Sequence, residues 1–574
     1  MGDNIESALI KESTQTPGVS SGSITMSGTK INTDTQNISL QDVGATYNLT
    51  IKVFDSVNVI ETTRSFVLVG VTATCSDGIK NQNEVDTDCG GNCAACAAGG
   101  KISIYPNNPR YFQSASGTPM FLLGYYNWAC VHPDGTIDHF EPYGYMTSTY
   151  ANMIQKSQDY GLNYIRISLG INKINTCRAA FAYVSGKADL DQWDTVYWNG
   201  FKYYLDLAKQ KGLIVHIAIF DAVDFRGGSE DYRWVNSYWN VDNQKQSYYG
   251  DLDINNNGYA DQAGEFYRVS DFNNNVGVGK YQRKFIDKVI QETGNYDNVF
   301  YEIGNELLGS TTEWNYAVAS YIKSKTDIPV TENSCDKKSG CLAKASSTDG
   351  LTKHTPDTMS EVKTSVGELS GLGYPFMQDP DGSGIMAASS NDLRAAAWYS
   401  FTGGAFGWGG FTEDFWINNV RTDVLRYYGN LIKFIERTGA PFWDMFPNHN
   451  LVSNSGVNSV LSKTNNYYLV YVKSDSQITL NLAQASGTFT VKLYNPATGV
   501  FTDSSNVQGG STITINKPLG ATDWVLHLKS TANATNTIWN TFAEINKSVS
   551  NNLANALTAF WSALGTLFME VFGN

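Results

Sequence analysis

Charge is scarce in this chain, and positive charge scarcer. Of its 574 residues 17% are Asp, Glu, Lys or Arg, with 41 Lys plus Arg against 55 Asp plus Glu. The resulting formal charge of −14 argues against a phosphate backbone or an anionic membrane as principal partner, so no nucleic acid is expected. Histidine is scarce too. The six His show no paired ligand spacing, which makes a metal-dependent hydrolase a poor reading. The opening MGDNIESALIKES has neither a basic n-region nor an apolar h-region, so no signal peptide is legible. Disorder is excluded for the bulk of the chain, because 42% of residues are apolar and 13% aromatic.

What is present is a large supply of aromatic side chains, 33 Tyr, 27 Phe and 13 Trp. They are core material first, but aromatics beside acidic residues also line sugar-binding clefts. The length suggests three or four domains, one of them large enough for a barrel of about 250 residues or more.

The cysteines number eight: Cys75, Cys89, Cys93, Cys96, Cys130, Cys177, Cys335 and Cys341. An even number in local groups favours disulfides, with a zinc site as the competing reading of the Cys93–Cys96 pair. Four of them within CSDGIKNQNEVDTDCGGNCAAC read as a small crosslinked knot with little core of its own. Sequons at Asn37, Asn48, Asn533 and Asn546 fit the same exported, oxidising setting, so an extracellular or cell-surface location is expected.

Five segments follow from patterning. Residues 1–72 open with a polar stretch that reads as disordered to about residue 20. They continue with strand-like alternation in TYNLTIKVFDSV and TRSFVLVGV, an immunoglobulin-like β-sandwich, whole or incomplete. Residues 73–100 hold the cysteine knot. Over 101–450, apolar runs alternate with longer amphipathic stretches, the mark of repeated β-α units. Eight strand candidates (121–129, 163–170, 213–221, 299–306, 329–334, 350–354, 374–381 and 400–410) predict a (β/α)8 barrel with its active site at the C-terminal strand ends. Residues 451–530 return to alternation and predict a second small β-sandwich. The tail, 531–574, is apolar at three-and-four spacing from Phe542 to Val571 and predicts an amphipathic helix. Its far face is apolar as well beyond Leu553, so it needs a cover: self-association, docking on another domain, or a membrane, the last less favoured because no basic flank follows. The fold class is therefore multidomain α/β, a TIM barrel flanked by small all-β sandwiches.

The most informative string is Tyr301-Glu302-Ile303-Gly304-Asn305-Glu306, apolar until it closes on Asn-Glu at the tip of the fourth barrel strand. A carboxyl group there can hold a proton near neutral pH and give it to a glycosidic oxygen. Capping of the following helix is the structural alternative for Asn305 and Glu306.

On these residues, 101–450 resemble a clan A (cellulase-like) (β/α)8 glycoside hydrolase, and 455–530 resemble the C-terminal β-domain often appended to such barrels. The resemblance implies that Glu306 is the acid/base and that Asn305 bonds the sugar 2-hydroxyl. It implies that Arg166, in NYIRISLG, supports the nucleophile and that Trp408, in FGWGG, forms a sugar platform. The chain departs from the family at strand seven, where a nucleophilic Glu is expected. The sequence there is Pro375-Phe376-Met377-Gln378-Asp379-Pro380-Asp381-Gly382. Asp379 or Asp381 takes the role, with Glu368 and Glu413 as alternatives from neighbouring loops and a turn as the structural reading of Asp-Pro-Asp-Gly. Asn127, Trp128, Asp221 and His354 stand at other strand ends and supply apolar faces and hydrogen-bonding groups for a sugar.

Counting from Asp253, oxygen ligands fall at Asp253, Asn255, Asn257 and Asp261, with Gly258 at position six of a calcium-type loop. Position twelve is Gly264 instead of Glu, and an Asn-rich surface turn is the competing reading. A structural Ca2+ is the ion that this loop suggests, with no cofactor needed for catalysis. Cys130 with Cys177, after strands one and two, and Cys335 with Cys341, after strand five, are the disulfide pairings expected in the barrel. The function expected is a secreted glycosidase acting on β-linked polysaccharide. The competing expectation is a catalytically degenerate barrel that binds glycans or builds filaments through the tail.

Overall fold

A computed structural model describes the backbone of 7–14, 23–27, 46–54 and 59–67, and the chain from 101 to 531 apart from 132–136, 140–149, 170–177, 226–236, 241–242, 247–265, 308, 334–346, 354–358, 372, 380–387 and 410–420. The chain divides into two units, Met1–Gly99 and Gly100–Asn574.

The first unit holds an antiparallel sheet. Ser7–Thr14 pairs with both Ser23–Ser27 and Thr46–Phe54, and Thr46–Phe54 pairs with Val59–Val67. Ser7–Thr14 thus lies in a strand where the polar composition predicts disorder. It is hydrogen-bonded to a neighbour along each edge. The cysteine knot of 73–100 lies outside the described residues.

In the second unit eight parallel strands close on themselves: β1 (Leu122–Val131), β2 (Tyr164–Ser168), β3 (Ile214–Asp221), β4 (Val299–Asn305), β5 (Val330–Glu332), β6 (Gly350–Lys353), β7 (Phe376–Gln378) and β8 (Gly407–Trp408). Closure is made by Gly407 beside Leu122 and Trp408 beside Leu123. The helices run outside: α1 (Tyr150–Tyr160), α2 (Thr195–Gln210), α3 (Gly277–Thr293), α4 (Thr312–Lys325), α5 (Met359–Leu369), α6 (Ser390–Thr402) and α7 (Thr422–Thr438). Capping fixes several starts. Asp194 accepts from the amides of Val196 and Tyr197 ahead of α2, and Ser389 from that of Asp392 ahead of α6. That second cap moves one boundary, because Ser400–Thr402 end α6 where the sequence predicts the start of strand eight.

Side chains fill the barrel in layers. Phe112, on a short hairpin before β1, packs 5.5 Å from Phe300 and 5.0 Å from Phe406 between ring centroids and closes the N-terminal end. Above it lie Tyr164, His216 and Phe300, then Arg166 and Glu302, and last the strand tips.

After the barrel come β9 (Ser459–Lys463), β10 (Tyr467–Val472), β11 (Gln477–Asn481), β12 (Thr488–Asn495), β13 (Val500–Gln508), β14 (Thr512–Asn516) and β15 (Trp524–Ser530). They form a sheet in the order β9-β10-β15-β12-β13, with β11 and β14 paired separately. Alternation splits the main sheet. Val460, Val470, Val491 and Leu526 build the domain's own core, while Leu461, Leu469, Tyr471 and Tyr494 join the core of the barrel. Trp398 of α6 stacks on Tyr471 at 5.9 Å, and Arg394 grips Asp523 with Nε–Oδ2 2.9 Å and Nη2–Oδ1 2.6 Å, so this domain is fastened to the barrel helices. The tail beyond residue 531 lies outside the described residues.

Candidate active site

The barrel interior carries a connected set of buried polar groups. Tyr164 Oη lies 2.9 Å from Nδ1 of His216, and Nε2 lies 2.9 Å from Thr331 Oγ1. Thr331 donates to the carbonyl of Tyr301 at 3.3 Å and accepts from Thr352 Oγ1 at 3.2 Å. His216 stacks on Phe300 with centroids 4.0 Å apart. Burial, and secondarily the Arg166 guanidinium, push the His216 pKa well below its ordinary value, so the ring is neutral. Burial, followed by the charges of Asp379 and Glu302, pushes the Tyr164 hydroxyl well above its ordinary pKa. A neutral ring donates once. With Tyr164 donating to Nδ1, the proton sits on Nε2 and goes to Thr331, so the hydroxyls of Tyr164, Thr331 and Thr352 each have a partner.

Arg166 on β2 is the centre of the next layer. Its Nε lies 2.9 Å from Glu302 Oε2, which Nη2 also contacts. Nη2 donates to Asn305 Oδ1 at 3.1 Å, and Nη1 lies 3.0 Å from Asp379 Oδ2. One guanidinium therefore joins the tip of β4 to the tip of β7. All four groups are buried, where an ion pair persists only with its remaining polar atoms satisfied. Asn305 passes the connection on. Its Nδ2 lies 3.3 Å from each oxygen of Asp221, which accepts from Ser168 Oγ at 2.6 Å.

Glu306 follows at the mouth, half-buried, with φ of 50°. A non-glycine residue in the left-handed region costs about 1–3 kcal/mol and persists where its surroundings impose it. Here Asn333, at the end of β5, accepts from the Glu306 amide at 3.4 Å. Gly304 is equally constrained, since a Cβ there would stand 2.6 Å from the carbonyl oxygen of Phe220. Asp379 has its own allowance, because a Cβ on Gly409 would stand 2.5 Å from its Oδ1.

The sequence-predicted residues fall into three groups. Arg166, Asn305, Asp221 and Asp379 are brought together, with Glu306 next in the chain. Asp221 and Asn305 are wholly buried and hold one another, so Asp221 positions Asn305 instead of lining an open sugar subsite. Trp408 is not at the mouth. Alternation along β8 turns Gly407 and Gly409 toward Met377 and Asp379, while the Trp408 indole is buried and donates to Tyr428 Oη of α7 at 2.6 Å. Glu368 is exposed on α5, not on a loop beside the site. Outside the described residues lie Asp381, His354, Glu413, the calcium-type residues Asp253, Asn255, Asn257 and Asp261, and Cys75, Cys89, Cys93, Cys96, Cys177, Cys335 and Cys341; Asn127, Trp128 and Cys130 are placed in β1 by backbone alone.

Sequence reasoning passed over Glu302, Ser168, Tyr164 and His216. The signal was strand alternation: Tyr164, Arg166 and Ser168 share one face of β2, and Phe300 and Glu302 one face of β4. A Glu inside an otherwise apolar strand marks an interior partner for a cation.

A closed parallel barrel with carboxylates and an arginine gathered at its C-terminal strand ends has the architecture of a (β/α)8 enzyme. The comparisons carry this further. Residues 125–328 match the model of the cellulase family, glycosyl hydrolase family 5, and residues 447–529 match that of a putative collagen-binding domain of a collagenase. The fold is similar to that of a glycoside hydrolase family 5 protein from Bacteroides vulgatus ATCC 8482, with TM-score 0.55 and 14% identity over 75% of this chain and 94% of that one. A second structure, of a glycoside hydrolase, matches with TM-score 0.53 and 14% identity over 75% of this chain and 97% of that one. A search of the curated proteins finds no match. The fold is that of a (β/α)8 barrel, and its first half is similar in sequence to the cellulase family.

Proposed function

We propose that this chain is a secreted glycosidase that cleaves β-linked polysaccharide with retention of configuration. Glu306 serves as acid/base and Asp379 as nucleophile. The observation that carries the reading is the Arg166 bridge from β4 to Asp379, which supports a carboxylate at the tip of β7 where the clan keeps its nucleophile. In the first step an oxygen of Asp379 bonds to the anomeric carbon as the glycosidic bond breaks, and the leaving oxygen takes the proton of Glu306. In the second, the Glu306 carboxylate takes a proton from water, whose oxygen bonds to the anomeric carbon as the ester bond to Asp379 breaks, leaving Asp379 a carboxylate and Glu306 protonated again. Such a mechanism needs carboxyl groups about 5–5.5 Å apart. Asp is one methylene shorter than Glu, so the backbone of β7 must stand closer to the sugar.

Arg166 balances the charge of Asp379 and fixes its direction, while Asn305 is held ready for a sugar hydroxyl. A structural Ca2+ in the 253–261 loop and disulfides suited to an extracellular setting belong to the same reading. Incubation of the native chain and a Glu306→Gln variant with β-glucans, mannans, xylans and galactans tests it. Release of reducing ends by the native chain alone supports a glycosidase and names its polymer. A second reading, a glycan-binding barrel without turnover, is favoured by the deep burial of Asp379 against Arg166. Binding without release by either protein would establish that reading.

A further inference from the structure

Where the C-terminal domain meets the last barrel helix, a cleft of about 270 Å³ is lined by Arg437 of α7, Lys492 and Thr490 of β12, Phe501 of β13, and His527 and Lys529 of β15. The register places these groups deliberately on one face. Lys492 is directly opposite His527, and Thr490 is opposite Lys529. His527 forms the floor, 6% exposed, between the rings of Phe434 and Tyr467. Its Nε2 is buried and meets no hydrogen-bond partner among the described residues. A buried imidazole nitrogen that has given up its hydrogen bonds to water is destabilising, and an incoming group that pairs with it would offset that loss.

The cations around it are only partly engaged. Arg437 lies over the Phe501 ring at 4.7 Å and donates to the Gly499 carbonyl at 3.1 Å. Lys529 lies 5.5 Å from the Tyr467 ring, and Lys492 is 3.7 Å from an Asp503 that is itself 86% exposed. In a chain of net charge −14, three cations and an unsatisfied ring nitrogen converge on one cleft. The charge of Lys529 and Lys492 adds to burial in lowering the His527 pKa to about 4.

We infer that this cleft is a second, non-catalytic site that takes the carboxylate of an acidic sugar residue, holding polysaccharide on the accessory domain. The oxygens would lie among Arg437, Lys492 and Lys529, with His527 Nε2 donating from below. Phe501 is covered by Arg437 and offers no open apolar anchor, which disfavours a peptide side chain as the ligand. The inference rests on the reading of the chain as one that acts on polysaccharide.

Binding is read in the full-length Glu306→Gln variant, so that turnover plays no part. Titration calorimetry would use trigalacturonic acid, its fully methyl-esterified form, and gelatin. The acid should bind, more weakly as salt rises, and the neutral ester should not. Changing Lys492 and Lys529 together to Gln should weaken the acid about tenfold or more while the thermal midpoint stays in place. Proton NMR should show the His527 pKa climbing from about 4 when the trimer is bound, because an adjacent anion favours the imidazolium. Equal binding of acid and ester, binding untouched by the lysine changes, an unmoved His527, gelatin bound in preference, or no binding would each overturn the inference. Reducing-end release by the native chain is measured separately, so failure of the glycosidase reading and failure of this site are distinguishable.

Discussion

Arg166 and Asp379 stand on strands two and seven of the barrel, and Nη1 reaches Oδ2 across 3.0 Å with both side chains out of water. The same guanidinium holds Glu302 and Asn305 on strand four. Removing the cation takes from two buried carboxylates the guanidinium they share. Arg166→Met should therefore destabilise the barrel by about 3–5 kcal/mol, read from the denaturant midpoint. Arg166→Lys should keep more of the stability and lose turnover, because an ammonium cannot span the three partners as a planar fork does.

Gly409 gives an independent handle on Asp379. A methyl group there would meet Oδ1 at 2.5 Å and Met377 Cε at 2.7 Å. Gly409→Ala should push Asp379 aside and lower kcat by about 100-fold, the scale of a misplacement near 1 Å, with a much smaller change in KM. Steady-state kinetics on the polymer found by the substrate panel reads the split.

The junction between barrel and accessory domain depends on Asp523, which takes both Arg394 contacts and accepts from Tyr471 Oη at 2.9 Å. Asp523→Ala leaves the buried Arg394 guanidinium without its carboxylate, held only by Asn391 and Thr522 among the described residues, at a cost of about 3–5 kcal/mol. Since Leu461, Leu469 and Tyr471 share the barrel core, scanning calorimetry of the native chain should show the two domains melting together. The variant should separate them.

Acid should weaken the fold before it titrates the carboxylates. Burial lowers His449 and His527 from 6.5 to about 4, and His216 well below 6.5. Above pH 6.5 each is neutral in both folded and unfolded chains. As pH falls below 6.5 the unfolded chain takes up protons that the folded chain refuses, so stability is lost until the folded pKa is passed. The slope is up to about 1.4 kcal/mol per pH unit for each histidine. Thermal midpoints should hold from pH 7.5 to about 6.5 and fall from there to 4.5, and His527→Gln should flatten the decline.

Much of the barrel was legible because its strands are apolar runs ending in polar residues, a pattern that burial on both faces enforces. Strand eight was displaced for a local reason: Ser400–Thr402 belong to a helix that Ser389 caps, and a capped helix outweighs the β character of SFTGG. Trp408 was misdirected because FGWGG gives its position at a strand end but not its side, which alternation beside Gly407 and Gly409 decides. Glu302 stood in the string that identified the site and passed unnoticed. Attention to strand tips hides the layer below, where Arg166 collects its partners. The strand Ser7–Thr14 was illegible because SALIKEST lacks the alternation of apolar and polar residues that marks a strand.

The assignment of Glu306 and Asp379 is tested most directly by the stereochemistry of the first product. On the polymer that the native chain cleaves, proton NMR in the first minutes should show the β anomer of the new reducing end appearing before mutarotation, and Asp379→Asn should abolish that signal. An α anomer appearing first, or undiminished release by Asp379→Asn, would contradict a retaining mechanism with Asp379 as nucleophile.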